Sequence, residues 1–333
     1  MKLRWSRLLT AVPAATLAIS LTASPSAGAR PSATAPTGKP LVAPAQAPAI
    51  ASLASLRGPL GLPLLRPSAT AIPHHAPWAA SVSSGWNNFS CKPSHHHPRP
   101  VVLTHGTFAN GIDNWLGLAP YLVARGYCVF SLTYGQLPVL PVVGGLGPID
   151  DSARQLAGFV NRVLAATGAR KVDIVGQSQG GMMPRVYMKF HGGRHKVHTL
   201  VGLAPDNHGT DLHGLSKLVD LAPIKQTLHT LTPGLIQQKA GSPLLRRLNA
   251  GRETLPGVHY TVIATKYDEV VTPLGSEFLH GPDVHNVLIQ DLCPLDISMH
   301  ATIGLLDRIA FHETANALDP AHATPTTCAS TLG

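Results

Sequence analysis

From Arg99 onward, short apolar runs alternate with stretches in which apolar residues recur every three or four positions. Arg99–Thr104 (RPVVLT), Tyr127–Tyr134, Val172–Val175, His198–Ala204, Tyr260–Thr265 and Val287–Ile289 are short and rich in β-branched or aromatic residues, as strands buried on both faces of a parallel sheet are. Asp151–Ala166 places Ala153, Leu156, Ala157, Val160, Val163 and Leu164 on one face of a helix, with Asp150 or Asp151 expected as N-cap and Gly168 just past the end. Further helical patterns cover Trp115–Ala124, Met182–Phe190 and Ile303–Phe311. Pro184 lies inside the second of these and predicts a kink or an early irregularity. Strand and helix in alternation predict an α/β fold built on a mostly parallel, doubly wound sheet, whose functional residues collect in loops at the carboxyl ends of the strands.

The first 85 residues lack this pattern. Lys2, Arg4 and Arg7 precede the mostly apolar stretch Leu8–Leu21, and Ala27-Gly28-Ala29 follows, so residues 1–29 read as a secretory signal peptide. The apolar stretch has 14 residues, against the roughly 20 a membrane-spanning helix needs. No later stretch is longer without a Gly, Pro or charge, so the chain reads as secreted and extracellular, with no transmembrane segment. Residues 30–85 are rich in Ala, Pro, Ser and Thr and contain no acidic residue, which predicts a disordered or extended linker. Residues 86–333 remain, enough for one sizeable core and read as a single domain and a monomer. Removing the signal takes away three of the 26 basic residues and none of the 17 acidic ones, so the formal charge of +9 falls to +6. That excess is not gathered into a Lys/Arg run, which argues against a nucleic-acid partner.

Cys91, Cys128, Cys293 and Cys328 are an even set suited to disulfides in an oxidising compartment, and four cysteines allow three pairings. Eighteen histidines include His74-His75 and His95-His96-His97, but both runs lie in Pro-rich chain without a spacing that converges on one ion, so no metal is assigned.

The segment KVDIVGQSQGG, residues 171–181, holds the sharpest chemical signal. A strand runs into Gly176-Gln177-Ser178-Gln179-Gly180 and a helix follows, the setting of an exposed nucleophilic serine on a tight turn. Flanking glycines leave room for that turn, and the helix aims its first N–H groups at the reacting centre. A serine hydroxyl needs a histidine base oriented by a carboxylate, and in this setting the chain order is serine, acid, base. Asp268 in VIATKYDEVVTP is the expected acid; Glu269 is its neighbour, and adjacent side chains diverge at a strand end. His300 in LDISMHATIGLLD is the expected base, with His280, His285 and His312 read as surface histidines. The backbone N–H groups of Gln179 and Thr107 are the expected oxyanion donors, with the Thr107 hydroxyl available as a third. His105 precedes the serine and reads as a brace for its loop.

VVLTHGTFANGIDNWLGLAPYLVARGYCVFSLTYG, IVGQSQGGMMPRVYMKF, VGLAPDNHGTDL, YDEVVTP and ISMHATI together resemble the secreted actinobacterial lipases of the class 2 family and, more distantly, the fungal lipase B type. The resemblance runs from about Trp86 to Cys328. It implies the α/β-hydrolase fold with a helical cap region, a triad of Ser178, Asp268 and His300, oxyanion donors Thr107 and Gln179, and no cofactor. It also implies disulfides pairing Cys91 with Cys128 and Cys293 with Cys328. Gln177 departs from the family, where aromatic residues or histidine are frequent before the serine, and the Pro/Ala-rich leader has no part in its core.

The activity so implied is that of a triacylglycerol lipase or carboxylesterase working through an acyl-enzyme, on a lipid or other ester substrate. Polyester cleavage or acyl transfer would use the same triad, and a non-catalytic surface-binding protein of the same fold is the alternative of another class. The leucines of Asp211–Gly251, including Leu212, Leu215, Leu218, Leu228, Leu231, Leu235, Leu244 and Leu245, suit either an acyl channel or the core of a helical cap. The loop 137–148, LPVLPVVGGLGP, is a candidate rim for transient contact with a lipid or polymer surface.

Overall fold

Four consecutive buried residues, Val101–Thr104, form β1, and Val129–Leu132 (β2), Val172–Gln177 (β3), Val197–Leu203 (β4), His259–Ala264 (β5) and Val284–Leu288 (β6) complete a parallel sheet in the order β2-β1-β3-β4-β5-β6. The computed structural model describes residues 85–138, 140–211 and 232–332. The expected signal peptide, the linker up to residue 84 and the leucines between 212 and 231 lie outside the described residues.

Side chains alternate across the sheet and build a core on each face. Val102, Phe130, Ile174, Leu200 and Tyr260 pack with Ile149–Thr167 (α2), Gln179–Phe190 (α3) and Pro243–Asn249 (α5) on one side. Val101, Leu103, Val129, Val175, Val201 and Ile263 pack with Leu118–Ala124 (α1) and Arg308–Leu318 (α7) on the other. Each Val, Leu or Ile so buried contributes about 1.5–3 kcal/mol relative to exposure. Leu244 and Leu245, candidates for an acyl channel, belong to the first core. Pro233–Gln237 (α4) and Ile289–Leu292 (α6) are single turns between larger elements. The structure joins Cys91 to Cys128 and Cys293 to Cys328.

The helix expected from Trp115 begins at Leu118 and the strand expected at Val287–Ile289 spans Val284–Leu288, and three further differences have a physical cause. Helix α2 begins at Ile149 behind Pro148, so Asp150 and Asp151 lie in its first turn, where their charge favourably meets the positive end of the helix dipole and pairs with Arg154, and neither is the N-cap. Helix α7 begins at Arg308 rather than Ile303, because the Asp307 carboxylate caps it by accepting from the N–H groups of Ile309 and Ala310. Helix α3 runs through Pro184 without a break. A proline N–H is missing there, which orphans the carbonyl four residues earlier, that of Gly180. The Thr104 hydroxyl donates to that oxygen at 2.7 Å and replaces the lost bond.

From β1 the chain goes outward to β2 and later returns on the other side of β1 as β3, so the strand order reverses between β1 and β3. The loops that leave their carboxyl ends diverge there and open a crevice, and these are the loops of Thr107 and Ser178.

Candidate active site

Ser178 sits between the last residue of β3 and the first of α3, with φ 56° and ψ −126°. For a residue with a side chain this is a sparsely populated conformation, costing about 1–3 kcal/mol, which the surroundings must impose. Its N–H donates to Leu203 O at 2.9 Å and its carbonyl accepts from Gly181 N–H at 2.8 Å. The glycines on either side have no alternative: a Cβ on Gly176 would overlap the Gly180 carbonyl, and one on Gly180 would overlap Thr104 O and come within 2.5 Å of His105 O.

Asp268 and His300 lie in the loops that follow β5 and α6. The Asp268 side chain is nearly fully buried; Oδ1 accepts from the N–H groups of Val270 and Val271, both at 2.7 Å, and Oδ2 faces His300 Nδ1 at 2.6 Å. A carboxylate so placed keeps the proton on Nδ1 and leaves Nε2 as the acceptor. The His300 main chain is clamped from both sides, its N–H 3.3 Å from Glu269 Oε2 and its carbonyl accepting from Gln177 Nε2 at 2.9 Å. Glu269 and Gln177 thus have positions of their own: the first flanks the acid, the second ties the histidine loop to the serine turn. Ser178 and His300 both line a cavity of about 300 Å³, together with Gly106, Thr107, Phe108 and Leu305.

Gln179 is the first residue of α3, and its N–H has no intrahelical acceptor. Its side-chain amide donates to Gly145 O at 2.9 Å and to Thr107 Oγ1 at 3.0 Å, which fixes the β1 loop beside the serine turn. The Thr107 hydroxyl also meets both atoms of the Gln238 amide, at 2.9 and 3.0 Å. With Gln179 and Gln238 Nε2 directed at its oxygen, its one hydrogen goes to Gln238 Oε1, so the hydroxyl serves as a loop clamp and is not spare as a third donor. His105 braces the same loop: Nδ1 faces Gly106 O at 2.7 Å, Nε2 accepts from Tyr134 N–H at 3.2 Å, and burial pushes its pKa down to about 4.

The family model for Lipase (class 2) matches residues 98–302, which include Thr107, Gln177, Ser178, Gln179, Asp268 and His300. The chain belongs to that family. Curated relatives include a triacylglycerol lipase of Pseudarthrobacter phenanthrenivorans and one of Burkholderia plantarii, each 37% identical over 91 residues. Those alignments take in 26% of this chain and 27% and 24% of the relatives, so the match spans about a quarter of their length. Among solved structures, Aspergillus fumigatus lipase B is similar with a TM-score of 0.55 at 22% identity, over 68% of this chain and 54% of that one. A Bacillus licheniformis lipase in its propeptide form gives a TM-score of 0.50 at 18% identity, over 68% and 51%. These likenesses are in fold, and the fold of this class 2 family member is that of the α/β hydrolases.

Behind its Asp268–His300 pair, this class 2 family member buries two more carboxyl groups that the sequence reading did not single out. Glu277 is fully buried, and burial first, then the charge of Asp268 and a hydrogen bond to it, push its pKa well above the usual carboxylate range. Burial beside the charge of Asp268 thus favours the neutral form of the Glu277 carboxyl. Asp206, just past β4, is pushed up to about 7 by burial, with His300 and Arg185 opposing and Asp268 adding to the shift. Neither Asp206 oxygen has a hydrogen-bond partner among the described residues. The Arg185 guanidinium lies in the same interior, donating to Asn207 O and Oδ1 and to Asn249 Oδ1. The one local signal was an aspartate in LAPDNHGT directly after an apolar run.

Proposed function

We propose that the chain is a secreted serine ester hydrolase that cleaves lipid or other carboxylic esters through an acyl-enzyme, with Ser178, His300 and Asp268 as its triad. The observation that carries this reading is the strained Ser178 turn sharing one cavity with a histidine that a buried aspartate holds in a single tautomer. Ser178 Oγ attacks the ester carbonyl as His300 Nε2 takes its proton, and the N–H groups of Thr107 and Gln179 receive the oxyanion. Collapse expels the alcohol, which leaves with the proton from His300. Water, deprotonated by His300, then attacks the acyl group; the acid departs and Ser178 regains its proton. Asp268 keeps Nδ1 protonated and stabilises the imidazolium in both halves.

A lipid substrate, met at a surface, is favoured by exposed apolar side chains on Phe108, which lines the cavity, and on segments near the site in the chain. Phe108, Val142, Leu295, Ile297 and Leu306 are 59–84% exposed, and they lie in the β1 loop, the loop 137–148 and the segments flanking His300. Large apolar side chains held in water in this number suit transient contact with a lipid layer. The two disulfides suit export to an oxidising compartment. The test is hydrolysis of p-nitrophenyl esters from acetate to palmitate by the secreted protein and its Ser178→Ala variant. Activity confined to the unaltered protein is expected, with the chain-length optimum separating lipase from small-ester esterase. Equal rates in both proteins, together with no covalent adduct on Ser178 from a serine-directed phosphonate, would refute the proposal in favour of a surface-binding role.

A further inference from the structure

His208, Glu253 and His280 come from three different loops, after β4, after α5 and before β6, and converge on one spot. His208 Nε2 is 2.9 Å from Glu253 Oε1, His280 Nδ1 is 3.5 Å from Glu253 Oε2, and all three ligand atoms lie within 4.8 Å of one another. None of these residues lines the cavity that holds Ser178 and His300.

The hydrogen bonds around the cluster determine what it lacks. His208 Nδ1 is 3.2 Å from the Ser276 carbonyl, which can only accept, so Nδ1 carries the proton. A neutral His208 then turns the lone pair of Nε2 onto a carboxylate oxygen, two acceptors face to face at 2.9 Å. A metal ion shared by the two atoms would satisfy both. The carboxylate is itself oriented, since the His280 backbone N–H donates to Glu253 Oε2 at 2.8 Å. An imidazole whose far N–H is fixed by a backbone carbonyl, beside an oriented carboxylate, is the arrangement of metal ligands and their supports.

We propose that His208, Glu253 and His280 bind a divalent transition-metal ion, Zn²⁺ by donor type, which takes no part in ester cleavage. Two imidazoles, a carboxylate and an open face for water make a four-coordinate zinc set, whereas Ca²⁺ and Mg²⁺ prefer oxygen alone. Zinc bonds of about 2.0–2.1 Å in a tetrahedron put donors roughly 3.3 Å apart. The three donor atoms lie within 4.8 Å of one another, wider than that spacing at most, and the His280 side chain is 77% exposed and can swing to close the set. The bound ion would tie the loop after β4 to the other two. That loop also holds Thr210, whose hydroxyl donates at 2.5 Å to Val270 O in the loop of Asp268. The histidine run 95–97, the sequence's more conspicuous candidate, does not converge this way: His97 is stacked on the Tyr127 ring at 3.8 Å.

The test uses the full secreted protein, stripped with EDTA and titrated with ZnCl₂ at pH 7.5 by calorimetry and by thermal unfolding. One equivalent of zinc per chain is expected, with Tm rising by about 5–10 °C at zinc a hundredfold above Kd. His280→Ala removes an exposed ligand without disturbing the interior and should weaken binding about tenfold or more, His208→Ala should abolish it, and His95→Ala should change nothing. Ser178→Ala should bind zinc as the unaltered protein does, whatever becomes of the ester-hydrolase reading. No saturable uptake, uptake that survives both His208→Ala and His280→Ala, or an equal Tm rise with CaCl₂ would overturn the proposal.

Discussion

Replacing Asp206 by asparagine removes an ionisation that the folded protein resists, and the size of the effect follows from its position. Burial raises its pKa from the ordinary 3.8 to about 7. Between those values the folded chain binds more protons than the unfolded chain, so stability falls as pH rises through the window, and the cost is complete above pH 7. Each unit corresponds to about 1.36 kcal/mol, so the two units between pH 5 and pH 7 remove about 3 kcal/mol that asparagine does not lose. The stability of Asp206→Asn minus that of the unaltered protein should therefore grow by about 3 kcal/mol from pH 5 to pH 9, whatever constant offset the substitution brings. Urea unfolding followed by the fluorescence of the buried Trp86 and Trp115, with disulfides intact, measures the difference at each pH, and equal m-values license the comparison. A difference that stays flat, or shrinks as pH rises, would show that Asp206 is ionised throughout and refute the reasoning.

The serine turn is equally open to test. Gly180→Ala drives a Cβ into the Thr104 carbonyl, and a loss of about 3 kcal/mol or more in urea unfolding is expected, with activity lost as well; a loss under 1 kcal/mol would mean the turn has slack. Glu277→Gln leaves a neutral group with a donor in that place and should hold kcat/KM for ester hydrolysis within about twofold. Glu277→Met has no donor, leaves more charge on Asp268 and should move the acid limb of the pH–kcat/KM profile to higher pH; identical profiles for the two variants would remove Glu277 from this role. Opening the bridge that spans 35 residues with Cys293→Ser and Cys328→Ser should cost about 4 kcal/mol of stability, the chain-entropy value for a loop of that length, and a cost near zero would show the tail to be held by packing alone.

The amino-acid sequence by itself determined the local features. Arg99–Thr104 and Val172–Val175 read as buried strands because their apolar runs suit a sheet covered on both faces, and the Gly176–Gly180 spacing marked the serine turn because only glycine fits beside a residue held at positive φ. Asp268 was singled out by its place after a strand pattern and His300 by its place in the loop before the last helical pattern, though their 2.6 Å contact was not legible. Contacts across the chain escaped it. Gln177 meets His300 over 123 positions, Thr104 repairs the carbonyl orphaned by Pro184 over 76, and Glu253 meets His208 over 45. The tertiary structure alone decided that Glu277 and Asp206 resist ionisation, because a carboxyl group's pKa depends on how much water and which charges surround it. Turns and strands follow from each residue's neighbours in the chain, whereas burial, charge state and the meeting of side chains follow from which remote segments pack together.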